Sequence, residues 1–210
     1  MSRLLELYSL VGNDTTKLRA IYDEWAASYD MELADASQEY VAPALAGAYL
    51  LQALGTPSIN DGLEILDAGC GTGLVGSHLA VIGAKKIDGV DLSMGMLQVA
   101  EKTGAYRSLT TMDLSQTLPL KDQSYDAITC IGTLTQGHVG PSVLHEFTRV
   151  TKKGGFIVVT ILDAIFSSGG YEETIKHLVT SGRLQIVSAQ LEDYRRGQGV
   201  RAWMIVLKAI

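Results

Sequence analysis

The chain has 210 residues, of which 47% are hydrophobic and 19% charged, with a formal net charge of −6. That length suffices for one well-buried α/β domain, and the acidic balance argues against a surface of clustered Lys and Arg built for nucleic-acid phosphates. Cys70 and Cys130 have neither metal-site nor disulfide-framework spacing, and no apolar run approaches the roughly 18 residues of a membrane span, so a soluble, cytoplasmic protein is expected.

In chain order, residues 14–29 carry Leu18, Ile21, Tyr22, Trp25, Ala26 and Tyr29 at the spacing of one helical face, with Asp14 or Thr15 as N-cap. Pro43 suits the first turn of a second helix and Gly55 its stop. From residue 63 the pattern alternates. Strand-like runs at 63–67, 87–91, 106–111, 125–131 and 156–162 are mostly separated by helix-like segments at 73–82, 94–102 and 141–151, which predicts a parallel sheet with helical crossovers. A helix near 171–181 follows, then runs at 184–193 and 201–208 joined by a short polar connection, which predict a hairpin. One domain is expected over 1–210, with helices in 1–56 and an α/β core in 63–210.

The first strand leads into Asp67-Ala68-Gly69-Cys70-Gly71-Thr72-Gly73 and then a helix. Such a turn lets a ligand touch bare backbone beside unpaired helix N–H groups, which makes a nucleotide site. Gly71-x-Gly73-x-x-Gly76 also fits the dinucleotide fingerprint, so the loop alone leaves an NAD(P)-dependent oxidoreductase open. An acid at position 67 is expected to repel a pyrophosphate and to suit a cationic, phosphate-free ligand such as S-adenosylmethionine (SAM). Asp91 ends the second strand, 20 positions after Gly71, where a carboxylate faces a bound ribose.

The glycine run resembles motif I of class I SAM-dependent methyltransferases, and other segments keep step with it. Asp91-Leu92-Ser93-Met94-Gly95-Met96-Leu97 is similar to the family's Asp-Leu-Ser-x-x-Met-Leu, and Met112-Asp113-Leu114 stands where the family places an acid for the adenine amino group. Glu146-Phe147-Thr148-Arg149 through Gly154-Gly155 resembles an architectural signature of the family, with Lys153 in place of its usual proline. Tyr22-Asp23-Glu24-Trp25-Ala26-Ala27-Ser28-Tyr29-Asp30 looks like a segment of small-molecule methyltransferases, particularly the Williams-Beuren-region methyltransferase-like group.

The resemblance implies a seven-stranded Rossmann-like sheet of order 3-2-1-4-5-7-6 with strand 7 antiparallel, and an N-terminal lid. It implies transfer of the SAM methyl to a small-molecule acceptor, giving S-adenosylhomocysteine, at a site comprising Trp25, Tyr29, Asp67, Gly69, Cys70, Gly71, Gly73, Asp91, Leu92, Met96, Met112, Asp113, Leu114 and Ile131. Of the four histidines only His138, on the loop after the fourth strand, is placed to meet an acceptor as general base. No metal, nucleic-acid or membrane partner is expected. The terminal hairpin opposes the oxidoreductase reading, and a noncatalytic SAM-binding partner protein is the nonenzymatic alternative. The Gly/Ser-rich turn 166–171 is a further candidate pocket wall.

Overall fold

The computed structural model describes residues 15–33 and 39–210. The elements are α1 (Thr15–Leu33), α2 (Ala42–Leu54), β1 (Glu64–Ala68), α3 (Leu74–Val81), β2 (Lys86–Asp91), α4 (Met94–Glu101), β3 (Ser108–Thr111), β4 (Tyr125–Leu134), α5 (Val143–Val150), β5 (Thr151–Leu162), α6 (Asp163–Phe166), α7 (Tyr171–Thr180), β6 (Leu184–Arg195) and β7 (Val200–Ala209). The predicted cap Asp14 lies outside the described residues, and α1 runs one turn past the predicted end at Tyr29. Helix α2 starts as expected, with Pro43 in its first turn, and stops at Gly55 in the left-handed region.

The seven strands form one sheet in the order β3-β2-β1-β4-β5-β7-β6. Strands β1 to β5 pair in parallel, whereas β7 is antiparallel to both β5 and β6. Both faces are covered, because the buried strands alternate side chains between two layers. On one side Ile65, Ala127, Val158 and Val206 pack with Ala46, Leu50 and Leu79 of α2 and α3. On the other, Leu66, Ile128, Val159 and Ile205 pack with Phe147 of α5 and Leu178 of α7.

Three boundaries depart from the sequence expectation for physical reasons. Strand β3 starts at Ser108 rather than 106, since Tyr106 turns off the sheet and buries its ring against the start of α3. Strand β4 continues past Ile131 to Leu134 through a register shift, with Gly132 at φ 79°. Strand β5 begins at Thr151, directly after α5, with another register shift before Ala127 pairs with Phe156; Gly154-Gly155 thus sits within the strand's irregular start. The Glu146/Arg149 signature is structural: Glu146 accepts from the Leu118 amide, and Arg149 donates to the Leu118 and Leu120 carbonyls. This clamp closes the Leu118-Pro119-Leu120 turn against α5.

Candidate active site

At the carboxyl ends of β1, β2 and β4, where open α/β sheets hold ligands, lies a cleft of about 720 Å³ counted to its open mouth. It gathers Tyr29, Gly69, Gly71, Asp91, Leu92, Met96, Met112, Asp113, Leu114, Ile131 and His138, all expected from the sequence. It also recruits Tyr22, Leu18, Ser115, Gly132 and Thr133. Among its described lining residues there are two carboxylates and neither lysine nor arginine, a donor set suited to a phosphate-free nucleoside.

Asp91 joins two loops before any ligand is considered. Its Oδ2 accepts from the Gly71 amide at 2.8 Å and its Oδ1 from the Ser93 amide at 2.9 Å. Each oxygen keeps a second lone pair, enough for two ribose hydroxyls. Burial raises the Asp91 pKa, opposed by these backbone N–H groups. Ser93, not Asp91, is the side-chain cap of α4, accepting from the Met96 amide at 3.0 Å. Asp113 uses only Oδ1 in its turn, accepting from the Ser115 amide and hydroxyl at 2.9 and 2.6 Å, so Oδ2 is available for an exocyclic amine. Serine two positions after an aspartate is the local signal for that turn.

Gly69 is required sterically. It has φ 71°, and a Cβ there would lie 2.1 Å from Thr133 Oγ1, which donates to the Gly69 carbonyl. The loop after β4 therefore rests directly on the loop after β1.

Helix α1 covers the cleft. Trp25 is 1% exposed and its ring meets Tyr29 edge-on at 4.8 Å and stacks on Tyr22 at 6.0 Å. The cover is fastened by acids whose roles the sequence reading missed. Asp23 Oδ1 accepts from Ser93 Oγ at 2.5 Å and from the Gly95 amide at 2.8 Å, and Asp30 accepts from Thr72 Oγ1 at 2.5 Å. Residues seven apart lie two turns along one helical face, so both acids point at the sheet's loops. At Gly95 a Cβ would stand 3.0 Å from the Asp23 Cα, hence the helices can meet there only at glycine.

His138 is almost fully buried at the border of the cleft. Its Nδ1 lies 2.9 Å from the Gln136 carbonyl, which can only accept, so Nδ1 carries the proton and Nε2 is the acceptor. Nε2 accepts from the Tyr22 hydroxyl at 2.8 Å. Burial lowers the His138 pKa, partly offset by the Gln136 bond, which keeps the ring neutral at pH 7.

Four expected site residues do not line the cleft. Trp25 packs on Tyr22 and Tyr29, and neither it, Cys70, Gly73 nor the 166–171 turn is part of the lining. Asp67 needs a correction: still inside β1, it shares the face of Ile65 and points under the glycine loop. Its carboxylate is 1% exposed, accepts from Tyr106 Oη at 2.7 Å and Thr129 Oγ1 at 2.9 Å, and braces the start of α3. Burial pushes its pKa up to about 6 against these hydrogen bonds. The lining of the cleft, rather than Asp67, supplies the argument against a pyrophosphate. Among the described residues no cluster of His, Cys, Asp and Glu could hold a metal, and no helix is long and apolar enough to cross a membrane.

Residues 66–159 match the family described as "Methyltransferase domain". The chain is 40% identical over 140 residues to human Methyltransferase-like protein 27, covering 66% of this chain and 55% of that protein. It is 34% identical over 122 residues to a ubiquinone biosynthesis O-methyltransferase of Alkalilimnicola ehrlichii, covering 55% of this chain and 47% of that one. The chain thus spans about half the length of the curated relatives it matches. In fold it resembles a TehB-like SAM-dependent methyltransferase from Corynebacterium glutamicum, with TM-score 0.63 at 20% identity, covering 91% of this chain and 99% of that one. With the sheet order and the loop-borne cleft, these matches show that the chain carries a class I SAM-dependent methyltransferase domain.

Proposed function

We propose that this protein transfers the methyl group of SAM to a small-molecule acceptor, releasing S-adenosylhomocysteine. The observation that carries the reading is the convergence of Asp91, Asp113 and the Gly69–Gly71 backbone on one cleft under an aromatic cover. The sulfonium of SAM supplies an activated methyl group. Asp91 binds the ribose and Asp113 the adenine amine, while Met96, Met112 and Leu114 give the base an apolar slot. Tyr22 and Tyr29 face the cationic end, where aromatic surfaces attract a sulfonium by about 0.5–2 kcal/mol.

The cover formed by α1 excludes water and fixes the acceptor, and positioning carries most of the acceleration. His138 Nε2 stands ready to take the Tyr22 hydroxyl proton as that hydroxyl takes one from an acceptor hydroxyl or amine. In this reading α1 serves as cover and residues 63–210, with α2 packed on the sheet, as the cofactor-binding core of one domain. The net charge of −6 supports a small molecule over a nucleic acid as acceptor, and the two free, buried cysteines support a cytoplasmic location.

Calorimetry with S-adenosylhomocysteine and with NAD and NADP tests the cofactor. Incubation with methyl-labelled SAM and a cellular metabolite extract, read by mass spectrometry, tests the transfer. Binding of NAD as tight as that of S-adenosylhomocysteine, or binding of the latter with no labelled product across extracts, would sink the proposal.

A further inference from the structure

The Gly/Ser-rich turn 166–171 is not part of the cleft's lining, yet its last residue reaches the loop that carries His138. Tyr171 is the first residue of α7 and 2% exposed, and its hydroxyl donates to the carbonyl of Val139, the cleft-lining residue that directly follows His138. We propose that Tyr171 is a positioning residue for methyl transfer: by holding the Val139 carbonyl it keeps the loop after β4 in place, and it acts on the reaction through His138 without touching cofactor or acceptor. The proposal rests on the methyltransferase reading and adds the residue that holds its proton relay in place.

The loop between β4 and α5 is weakly bonded within its own backbone. The His138 amide donates to the Thr135 carbonyl at 3.3 Å, longer than the usual N–H···O bond. The His138 ring adds Nδ1 contacts with the Gln136 carbonyl and Thr135 Oγ1, both at 2.9 Å. These bonds travel with the loop: they orient the ring within it and leave open where the loop lies. The loop is placed from outside by Tyr22 of α1, on His138 Nε2, and by Tyr171 of α7, on the Val139 carbonyl. Placement matters because proton transfer needs heavy atoms within about 2.6–3.2 Å.

Packing accounts for the ring of Tyr171 and not for its hydroxyl. The ring lies in the apolar layer with Cys130, Leu134, Leu144 and Ile175, where phenylalanine would fill nearly the same volume. A phenol buried there needs a partner for its O–H, and the Val139 carbonyl is that partner. Burial raises the Tyr171 pKa, so the hydroxyl keeps its proton and remains a donor. The preceding turn admits the ring: a Cβ on Gly169 would lie 3.2 Å from the Tyr171 ring and 2.6 Å from the Ile165 carbonyl. Glycine there lets the ring sit against the turn at the first position of α7, with its hydroxyl on the His138 loop.

The test reads the His138 ring by nitrogen NMR at about pH 8, where an imidazole is neutral, in wild type, Tyr171→Phe and Thr174→Val, each with and without S-adenosylhomocysteine. Thr174 Oγ1 donates to the Gly170 carbonyl at 2.9 Å, so Thr174→Val loosens the same end of α7 without touching the loop. Wild type is expected to show the Nδ1–H tautomer alone and Thr174→Val the same pattern. Tyr171→Phe should show a mixture of both tautomers, with exchange of the His138 amide faster by about tenfold or more. S-adenosylhomocysteine affinity should stay within about threefold in both variants. With an acceptor identified by labelled transfer, Tyr171→Phe should lower kcat by no more than His138→Ala does and add nothing to it in the double variant. A tautomer mixture already present in wild type would overturn the proposal, and that arm needs no variant to fold. An unchanged ring in Tyr171→Phe, an equal change in both variants, or additive losses in kcat would each reduce Tyr171 to a support of α7. Failure of the wild-type protein to bind S-adenosylhomocysteine would remove the methyltransferase reading, while the ring spectra recorded in its absence still decide whether Tyr171 holds His138.

Discussion

Asp23 of α1 sits over the N-terminus of α4 and accepts from the hydroxyl of Ser93 at 2.5 Å, the same hydroxyl that caps the Met96 amide. One carboxylate thereby ties the cover to the loop that follows Asp91, the acid proposed to hold the ribose. Fastening of the cover and organisation of the nucleoside site are one network, reinforced at the far end of α1 by Asp30 on Thr72. In the double variant Asp23→Ala/Asp30→Ala the cover should open without loss of the core. Hydrogen exchange of residues 15–33 should accelerate, and affinity for S-adenosylhomocysteine should fall by about tenfold, or about 1.4 kcal/mol, as expected for three charged-acceptor bonds largely replaced by water. Unchanged exchange in that segment would mean that apolar packing of Trp25 alone holds the helix.

Asp91→Ala removes the acceptor of two backbone amides and both proposed ribose contacts. Affinity for S-adenosylhomocysteine should drop by about 2–4 kcal/mol, measured by calorimetry. Asp91→Asn should recover only part of this, because its amide end can replace one acceptor oxygen and not the other. An unchanged dissociation constant in a folded variant would confine Asp91 to loop bracing.

If His138 acts as the proposed base, it sets the acidic limb of turnover. Its folded pKa lies below the usual 6.5, and the unfolded histidine titrates near 6.5. Neutral His138 therefore supports both activity and stability above that range, and both decline as pH falls below it, since the unfolded state then binds the extra proton. The acidic limb of kcat should lie below pH 6.5. If positioning dominates, His138→Ala costs less than about tenfold in kcat; a loss of about a hundredfold with cofactor affinity intact would make proton removal the limiting step.

Asp67 gives a stability prediction of opposite sign. Its folded pKa is pushed up to about 6 from 3.8, so the native state binds the proton more tightly than the unfolded chain, and stability contributed by the protonated form is lost as pH rises through about 4 to 6. Asn at this position can still accept from Tyr106 while donating to Thr129. Denaturant unfolding of Asp67→Asn should therefore improve relative to wild type by up to about 3 kcal/mol between pH 4 and pH 7. A difference that stays constant with pH would show that the Tyr106 and Thr129 bonds fully offset the burial.

The sequence by itself determined the order of strands and helices, the glycine loop, Asp91, Asp113 and the aromatic helix over the site. These are legible because each is local: a period of two or 3.6, a turn residue, or an acid at a fixed distance after a strand. It did not determine direction or partnership. Asp67 and Asp91 both follow apolar runs, and only their depth in the strand, inside β1 or at the last residue of β2, decides that one is buried under the loop while the other faces the cleft. The pairing of Asp23 with Ser93, of Tyr22 with His138, and of Tyr40 with Arg195 joins residues 70, 116 and 155 positions apart. Such contacts depend on how the sheet twists and where a strand bulges, which no short window of sequence records, so the cleft residues at the ends of β1 and β2 were readable from the chain and the contacts around His138 and the end of β6 were decided by the fold.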